Sequence, residues 1–548
     1  MAAERESGNG HDAEAARALL LRGLSGLSPR RRLDALTVSP EARSTVRSLP
    51  AEALYLDIAE VGLADATEVV QLASPEQFQS FVDLGAWKGD RVDASALLTW
   101  LRAARGDDVE EFRAKLGGLD IELLELLLRT TTVIHDLEEE PDLHVEGLTL
   151  ESADGRYRIE FQAESALEQT ALRAALMDLM AADPLGLSRL LEAVRWELPS
   201  ELEEIAYHFR TARLADLGFP DAETARSLYA RVPLPPAPAQ APAAALAAVE
   251  QGGGLLSSAL ARLTSEERSA VEGELRALIN AVLVDEGADP GDLAAVRRAG
   301  ERARDTLQLG LEAASGGDPL RAAEALRTRT PRGVFQVGFT LGLRLQDRAE
   351  RLARRPLARL DGNWLLWPDT AAVLAALRRP RPLRGLRVEG AEPVPFRRLR
   401  EIGEAEVSLS RAEQQQALLA ALLGGTEASA RSAVEGLEPD WPAGGVPALL
   451  LAALAHAALE GSLRVAPLQR QELAPLAEAL FERPPGPLRV RRPVRDRLAV
   501  LLGALAPEAA EEAGPLLDQA LDLLVEQVGP ALATGVLPRE ASVLLPFR

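Results

Sequence analysis

The chain contains no cysteine. Disulfide bonds, thiolate zinc sites, iron–sulfur clusters and cysteine nucleophiles are therefore excluded. Lysine is almost as scarce, because Lys88 and Lys115 are the only two and every other basic residue is arginine. Neither lysine directly follows a glycine, so the sequence has no P-loop for nucleotide phosphates. The patterns G-x-G-x-x-G, H-E-x-x-H and G-x-S-x-G, which are typical of dinucleotide-binding folds, zinc proteases and α/β-hydrolases, do not occur in a suitable context.

Aromatic residues are also few, at 4% of the chain, whereas hydrophobic residues together reach 47%. Leucine and alanine therefore supply most of the core, and both favour helix over sheet. Long apolar runs are missing, because the most apolar stretch, from Val446, is diluted by alanine, contains His456 and soon meets Glu460. We expect no membrane insertion and no signal peptide, and we predict a cytoplasmic location.

Length and charge limit the possible number of domains and the possible classes of partner. A chain of 548 residues is too long for one hydrophobic core, so several domains are expected. Residues 1–231 hold 43 acidic and 24 basic residues, whereas the remainder is almost balanced. An acidic first half repels phosphate and argues against nucleic acid as a partner. It fits either a solvated surface or the docking of a basic protein partner.

Signals for the start of a helix follow one another closely in the first half. Ser39-Pro40-Glu41 and Ser74-Pro75-Glu76 each combine an N-cap serine, a proline for the first helical position and an acid. The close spacing of these signals leaves room only for short helices. A short helix is marginally stable alone and persists only when its neighbours bury its apolar face. The spacing therefore predicts a mostly α protein that begins with a superhelical array of short helical hairpins.

One β-hairpin interrupts the helices, at about residues 147–161. Apolar residues alternate with polar ones on both sides of Asp154-Gly155, and this period-2 pattern around an Asp-Gly turn indicates two paired strands. A two-stranded hairpin is marginal in water, so we expect the face with Tyr157, Ile159 and Phe161 to pack on helices.

Composition then divides the chain into six segments. The uncharged, Pro- and Ala-rich stretch at residues 232–245 is the clearest boundary, because such a sequence forms an extended linker. The predicted segments are a disordered N-terminus (1–11), the helical-hairpin array (12–134), an acidic loop with the β-hairpin and further helices (135–231), the linker (232–245), a helical domain with Arg-rich and Trp-containing segments (246–404) and a C-terminal Leu/Ala helical domain (405–548).

Two resemblances accompany this organisation. Residues 28–133 resemble, in the rhythm of their L-P-x-E and S-P-E hairpins, the cytosolic N-terminal helical domain of MgtE-type magnesium transporters. Transport is not implied, because the chain has no transmembrane half. The segments LPAEALYLDIAEVGL, ASPEQFQSFVDLGAWKGDRVD, SADGRYRIEF and VFQVGFTLGLRLQDRA resemble a bacterial family catalogued as a domain of unknown function.

The strongest candidate for a metal site is the acidic loop from His135 to His144. Two imidazoles and several carboxylates within ten residues have the chemistry of divalent-cation ligands. The alternative is a solvated acidic loop, because no rigid element fixes the spacing. The candidate ligands are His135, Asp136, Glu139, Asp142 and His144.

Several other polar and aromatic residues have two interpretations, one functional and one purely structural. Glu204 and His208 lie one helical turn apart and form either an acid/base pair or a surface pair. Trp364 and Trp367 form either a ligand-binding face or core anchors. His456 is expected to be a satisfied core histidine. Arginine clusters near residues 348–355, 378–384 and 491–497 bind phosphate, meet the acidic half of the chain or are solvated.

Three hypotheses for function follow. The first is a cytoplasmic helical scaffold without catalysis that binds a protein partner through acidic residues of the array. The second is a regulator that responds to a divalent cation at the His135–His144 loop. The third is an enzyme with a site in residues 248–400. The residues predicted to bind a basic partner are Asp107, Asp108, Glu110 and Glu111.

Overall fold

The computed structural model describes residues 27–38, 41–141, 144–236, 254–386, 391–437, 441–482, 488–534 and 543–547. The predicted disordered N-terminus and most of the predicted linker lie outside these residues. The chain forms two compact units. The first contains residues 1–228 together with 272–303, and the second contains residues 229–271 together with 304–548. A segment that follows the predicted linker therefore belongs to the first unit.

Short helices build most of the first unit, as the closely spaced start signals predict. Ser74 caps one of them: its hydroxyl accepts the N–H of Gln77, and the Gln77 side chain accepts the N–H of Ser74. The helices of residues 27–228 are α1 (Pro29–Val38), α2 (Ala42–Arg47), α3 (Ala51–Val61), α4 (Thr67–Leu72), α5 (Pro75–Gly85), α6 (Ala94–Ala104), α7 (Val109–Gly117), α8 (Ile121–Thr131), α9 (Ala166–Ala182), α10 (Pro184–Trp196), α11 (Pro199–Asp216) and α12 (Ala222–Ser227).

The predicted β-hairpin is present, and it belongs to a three-stranded antiparallel sheet. A two-residue ladder, β1 (Trp87–Lys88) with β2 (Arg91–Val92), precedes it in the chain. The sheet contains β3 (Thr132–Asp136), β4 (Thr149–Glu151) and β5 (Tyr157–Phe161), with β5 in the centre. Gly155 in the turn has a φ of +72°, which a glycine adopts without strain.

The strand β3 corrects the sequence-based prediction, which extended the preceding helix to Ile134 and began a loop at His135. The hydroxyls of Thr130, Thr131 and Thr132 donate to carbonyl oxygens one turn back in α8, and the helix ends there. The β-branched residues that follow favour an extended chain, and Thr132 pairs with Phe161 at the far end of β5. Residues from β3 and β5 therefore lie together on the helical core.

One hydrophobic core joins the elements of residues 27–219, and the same helices hold a buried ionic network. Asp83 on α5 is fully buried, and its carboxylate accepts two hydrogen bonds from the guanidinium of Arg213 on α11, at 2.6 and 2.9 Å. The same guanidinium donates to both oxygens of Asp120, at 3.0 and 2.6 Å. Gln79 bridges the two acids, because its amide N–H donates to Asp83 and its oxygen accepts the N–H of Asp120. This network fixes α11 against α5 and the start of α8.

The second unit is helical too, with a short ladder between β6 (Arg359–Leu360) and β7 (Asn363–Trp364). The boundary between the units lies within α14 and α15. Thr330 has a φ of 58° and interrupts α16 just before Pro331. The helices after residue 254 are α13 (Leu255–Leu260), α14 (Ser265–Asp285), α15 (Leu293–Ser315), α16 (Pro319–Ala353), α17 (Pro368–Leu377), α18 (Leu399–Leu422), α19 (Glu427–Glu435), α20 (Trp441–Glu460), α21 (Leu473–Leu480), α22 (Arg492–Leu505), α23 (Ala510–Leu523) and α24 (Gly529–Thr534).

Among the described residues, one helical segment is long and apolar enough to cross a membrane, Ala443–Glu460 in α20. It is 72% buried within the protein itself. His456 in this helix is also buried, and its Nε2 lies 3.2 Å from the carbonyl oxygen of Ala466 while its Nδ1 lies 3.0 Å from the Arg464 guanidinium. This burial is typical of the core helix of a soluble protein, and His456 is a satisfied core histidine, as predicted.

Replacement of Arg213 tests the ionic network. We expect Arg213→Met to reduce the free energy of unfolding of the first unit by ~3–5 kcal/mol, because it leaves the buried Asp83 carboxylate without its counter-charge. Hydrogen exchange of the α5 and α11 backbone amides measures the effect locally. The exposed Arg226→Met is the control, and the double variant with Asp83→Leu should recover part of the loss. Equal protection in Arg213→Met and the control would contradict a structural role for the network.

Replacement of Phe161 tests the contact of the sheet with the helices. Tyr157, Ile159 and Phe161 are all buried, as the alternation predicts. We expect Phe161→Ala to lower the free energy of unfolding by ~3–5 kcal/mol, because it removes a large side chain from a close-packed core. The urea midpoint measures this change. The exposed neighbour Gln162→Ala should leave the midpoint unchanged, and an unchanged midpoint in Phe161→Ala would show that this face is not part of the core.

Candidate protein-binding surface

Two of the residues predicted as metal ligands, Asp136 and Glu139, are engaged with arginines. The buried Asp136 carboxylate accepts hydrogen bonds from Arg195 at 2.9 Å and Arg156 at 3.2 Å, and also from the backbone N–H of Glu138. Burial opposes its ionisation, but the N–H and the guanidinium groups outweigh burial and hold the pKa of the Asp136 carboxyl below its ordinary value. Asp136 therefore remains a carboxylate whose lone pairs are already occupied.

The other predicted ligands do not converge on Asp136. Glu139 accepts a hydrogen bond from Arg195 at 2.7 Å, and His135 lies 3.0 Å from Glu160 across the sheet. His144 is exposed, and Asp142 lies outside the described residues. In the part of the chain that the structure describes, no group of three or more His, Asp or Glu side chains is placed to hold a metal ion. The observed geometry is a set of ion pairs between Arg195 and the acids Asp136 and Glu139. The cation site stays a prediction.

The acids predicted to bind a basic partner are largely paired within the first unit. The Glu111 carboxylate accepts hydrogen bonds from Arg43 at 2.7 Å and Arg47 at 2.6 Å. Asp108 caps α7 through the N–H of Glu111, and its other oxygen lies 3.4 Å from Arg43. Glu110 pairs with Arg113 at 2.7 Å, and Asp107 is exposed. The contacts of Arg43 and Arg47 join α2 to α7, whereas Asp107, Asp108 and Glu110 remain exposed to solvent.

The tryptophan pair and the arginine clusters lie in the second unit. Trp367 is buried, and its backbone N–H donates to Gln415, which in turn donates to the buried Glu512. Trp364 is partly buried and lies 3.8 Å from the Arg359 guanidinium. Arginines of the clusters pair with acids of their own unit, and these pairs are Arg348–Glu413, Arg378–Glu350, Arg384–Glu401 and Arg495–Asp518. Glu204 and His208 are both exposed on α11.

A groove of about 530 Å³ lies in the second unit, between α17, the start of α18 and the segment that joins them. Its walls include Leu377, Phe396 and Val407, and Arg384 lies at its edge. The Arg384 guanidinium donates to Glu401 and Glu404, each at 3.0 Å. The groove lies partly in the region where a site for an enzyme is predicted, but its charged groups are paired with one another and no nucleophile–base pair faces it among the residues that line it.

Exposed apolar side chains gather where α10 passes into α11. Trp196 is the last residue of α10 and is 70% exposed, and Leu198, two residues on, is 56% exposed. Ile205 and Phe209 on α11 are each 42% exposed. Ile205 and Phe209 fall on the same side of α11 because four residues correspond to about one turn of helix, and Leu198 is the N-cap residue of that helix. We call these four residues the α10–α11 surface.

Residues of the acidic loop hold Arg195 next to Trp196. The Arg195 guanidinium lies 5.6 Å from the centre of the Trp196 ring, close enough for a cation–π interaction. The same guanidinium donates to Asp136 and Glu139 and is therefore held in place. A chain of contacts from buried Asp136 through Arg195 to Trp196 orients the indole ring on the surface. The loop predicted as a metal site thus has a positioning role.

A glutamate with little exposed surface lies close to this surface. Glu125 on α8 is only 6% exposed as a whole residue. α8 packs against both α10 and α11. Arg129, one turn further along α8, donates to the backbone oxygen of Val194. Burial, and then the negative charges of Glu122 and Glu197, raise the pKa of Glu125 to about 7. Because Glu197 lies between Trp196 and Leu198, these acids border the α10–α11 surface.

The sequence contains a signal for this surface that the search for motifs missed. The buried residues of α10 are Leu187, Leu190, Leu191 and Val194, which follow the helical period. Trp196 falls outside that period, so its indole could not join the same buried face. Glu125 is harder to notice, because a glutamate in the leucine-rich α8 resembles any other polar position until its burial is known.

The comparisons place the chain in one protein family. Residues 9–546 match the model of a family described as "Family of unknown function (DUF6178)". The match covers nearly the whole chain, so the protein belongs to this family, and the prediction of membership in a domain-of-unknown-function family is confirmed. Neither the curated proteins nor the solved structures contain a match. The likeness of residues 28–133 to MgtE-type transporters therefore stays a prediction.

Replacement of Glu125 tests its environment. Its pKa is raised from 4.5 to about 7 in the folded protein, so its ionisation opposes folding as pH rises through 7. At pH 8, Glu125→Gln should raise the free energy of unfolding by ~1–3 kcal/mol. At pH 5.5 the gain should fall by more than half, because the folded wild type then carries a proton on Glu125. Urea unfolding at the two pH values measures the gain.

The exposed Glu68→Gln serves as the control and should change stability little at either pH. A gain in Glu125→Gln that is absent, or that is the same at pH 5.5 and pH 8, would show that Glu125 is an ordinary solvated carboxylate.

Proposed function

We propose that this protein is a cytoplasmic α-helical scaffold that binds a protein partner through the α10–α11 surface. The observation that carries the proposal is the exposure of Trp196, Leu198, Ile205 and Phe209 on a framework that is otherwise well packed. Large apolar side chains in contact with water cost free energy, which burial under a partner recovers. Tryptophan and phenylalanine are also enriched at protein interfaces, and tryptophan is among the commonest anchor residues there.

The framework beneath this surface supports a binding role. Arg213 on α11 is fixed to Asp83 and Asp120 by hydrogen bonds of 2.6 to 3.0 Å, and Arg195 on α10 is fixed to Asp136. A surface on rigid helices binds without a large loss of conformational entropy, which favours affinity. The acidic residues first predicted as the partner site are mostly paired with arginines, so the apolar side chains are the better candidates for its centre.

A scaffold is also favoured over a catalyst. The described residues of the α10–α11 surface form no nucleophile–base pair, and its acids lie at its border. Partner binding through a central apolar group with a charged rim is the usual arrangement of protein interfaces. Charges at such a rim act mainly on the rate of association and on the choice of partner.

Affinity purification from the native cell tests the proposal. The baits are the full chain, the double variant Trp196→Ser/Ile205→Ser and a control, Leu167→Ser, whose side chain is also exposed but lies at the start of α9. We expect at least one protein to co-purify with the wild type and the control and to be lost from the double variant. The interaction should then be reproduced with the two purified proteins.

The folded state of each bait should be checked by its urea midpoint before the comparison. Recovery of the same partners at equal yield with the double variant would contradict the proposal. A partner that requires only residues of the second unit would also contradict it.

A further inference from the structure

We infer that a group of arginines around Glu413 gives the scaffold a second contact for its partner, and that this contact takes an acidic segment of the partner protein. The inference rests on the proposed function, because it assumes a protein partner, but it concerns another surface with another chemistry. The residues that carry it lie in the second unit. They are Arg344, Arg348, Arg351 and Arg355, which we call the α16 arginine stripe.

The stripe is assembled by one helix and one carboxylate. Arg344, Arg348 and Arg351 are separated by four and three residues in α16, so they lie on one side of that helix. Arg355 follows the end of α16, and its guanidinium lies 3.9 Å from the Glu413 carboxylate on α18. Arg348 donates to the same carboxylate through two nitrogens, each at 3.1 Å. Glu413 therefore brings Arg348 and Arg355 together at one point.

The acids of the same segment do not neutralise the stripe. Residues 344–355 contain five arginines and two acids. Both acids pair with arginines outside the stripe, because Glu350 lies 2.7 Å from Arg378 and Asp347 lies 2.8 Å from Arg231. The carbonyl groups at the C-terminal end of α16 favour positive charge, which allows the chain to carry this excess without a partner.

Glu413 is the acid that the arginines of the stripe share. Hydrogen bonds from Arg348 hold the pKa of the Glu413 carboxyl below its ordinary value against the effect of burial, and the charges of Arg355 and Arg351 add to this. Arg344 and Arg351 are exposed, and among the described residues no acid lies within ion-pair distance of either. One carboxylate thus serves several guanidinium groups, and a second anion finds donors that are not yet neutralised.

Carboxylates suit the stripe better than a nucleic acid does. Arg348 already binds the Glu413 carboxylate through two parallel contacts, which is the geometry that a guanidinium group prefers. Binding of single-stranded nucleic acid also uses aromatic rings on which bases stack. In the same unit the partly buried indole of Trp364 already contacts two guanidinium groups, those of Arg359 at 3.8 Å and Arg378 at 5.3 Å.

The charge of the whole chain favours a short anion over a long one. The net charge is −22, so a polyanion that extends beyond the stripe is repelled by the rest of the molecule. An acidic segment that ends with the stripe avoids this repulsion. The stripe is about 16 Å long, a distance that about five residues of extended chain span. A few consecutive aspartates or glutamates of a partner protein therefore match it.

A labelled peptide tests the inference on the full chain. The probe is a fluorescent peptide of about eight glutamates, long enough to span the stripe, and the matched peptide has serines in their place. Fluorescence anisotropy compares both peptides on the wild type and on Arg351→Gln/Arg355→Gln. The control variant, Arg329→Gln/Arg431→Gln, removes two exposed arginines from other parts of the second unit. The urea midpoint of each variant shows that it is folded.

We expect the glutamate peptide to bind the wild type and the control variant equally, and to bind Arg351→Gln/Arg355→Gln at least about tenfold more weakly. The serine peptide should not bind. Sodium chloride raised from about 50 to about 300 mM should weaken binding of the glutamate peptide, because salt screens exposed charges. Trp196→Ser/Ile205→Ser should bind this peptide as the wild type does, so failure of the α10–α11 surface is seen separately, in the proteins recovered from the cell.

Three results would overturn the inference. Equal binding of the glutamate peptide to the wild type and to Arg351→Gln/Arg355→Gln, or binding to neither, would show that the stripe is not its site. Tighter binding of an oligothymidylate of about eight nucleotides, lost in the same variant, would identify a nucleic-acid surface. Self-association of the wild type in sedimentation, abolished by the same variant, would identify an interface with the acidic residues of a second copy.

Discussion

The double ion pair of Arg213 with Asp83 and Asp120 is the constraint on which the first unit depends. A buried aspartate is tolerable only when its charge is balanced and its lone pairs are filled. Arg213 does both for Asp83 and also ties the residue that precedes α8 to the same point. Three helices that are distant in sequence, α5, α8 and α11, are thereby held in one register. Hydrophobic contacts alone are non-directional and would not specify that register so closely.

The position of the α10–α11 surface follows from that constraint. Once α11 is fixed through Arg213, its inner face is committed to Leu202, Ala206 and Leu214, which are buried. The row of Leu198, Ile205 and Phe209 then lies at the edge of the buried face. At the end of α10, Arg195 is held by Asp136 and supports Trp196. The pairs Asp83–Arg213 and Asp136–Arg195 thus fix the helix positions that carry the exposed apolar side chains.

The sequence predicts local structure well and long-range pairing poorly, for a physical reason. The Asp154-Gly155 hairpin and the Ser74 cap depend on neighbouring residues, and both are present. The strand β3 escaped prediction because Thr132 follows an apolar helix without any break in composition. The extended form of β3 is stabilised by β5, whose paired residues lie 21 to 29 positions further along the chain. The Arg213–Asp83 pair joins residues 130 positions apart, and no local pattern encodes such a contact.

The same limit explains the candidate sites. The composition of a segment shows which charges are present but not which of them are already paired, so the acidic residues of α7 and of the His135–His144 loop looked available when many of them were occupied by arginines. Conversely, no feature of the sequence distinguishes Glu125 within the leucine-rich helix α8. Only burial distinguishes it from a solvated glutamate.

Glu125 differs in its energetics from the aspartates that the chain neutralises. A buried carboxylate flanked by two other acids destabilises the fold once it is ionised, and glutamine or leucine in its place would relieve that cost. Such a residue is unfavourable as part of the framework, where Asp83 and Asp136 show how the chain neutralises an acid that it must bury. Asp83 and Glu125 thus show two outcomes for an acid packed among helices. An arginine of the same chain balances the charge of Asp83, whereas burial and neighbouring acids keep the pKa of Glu125 raised.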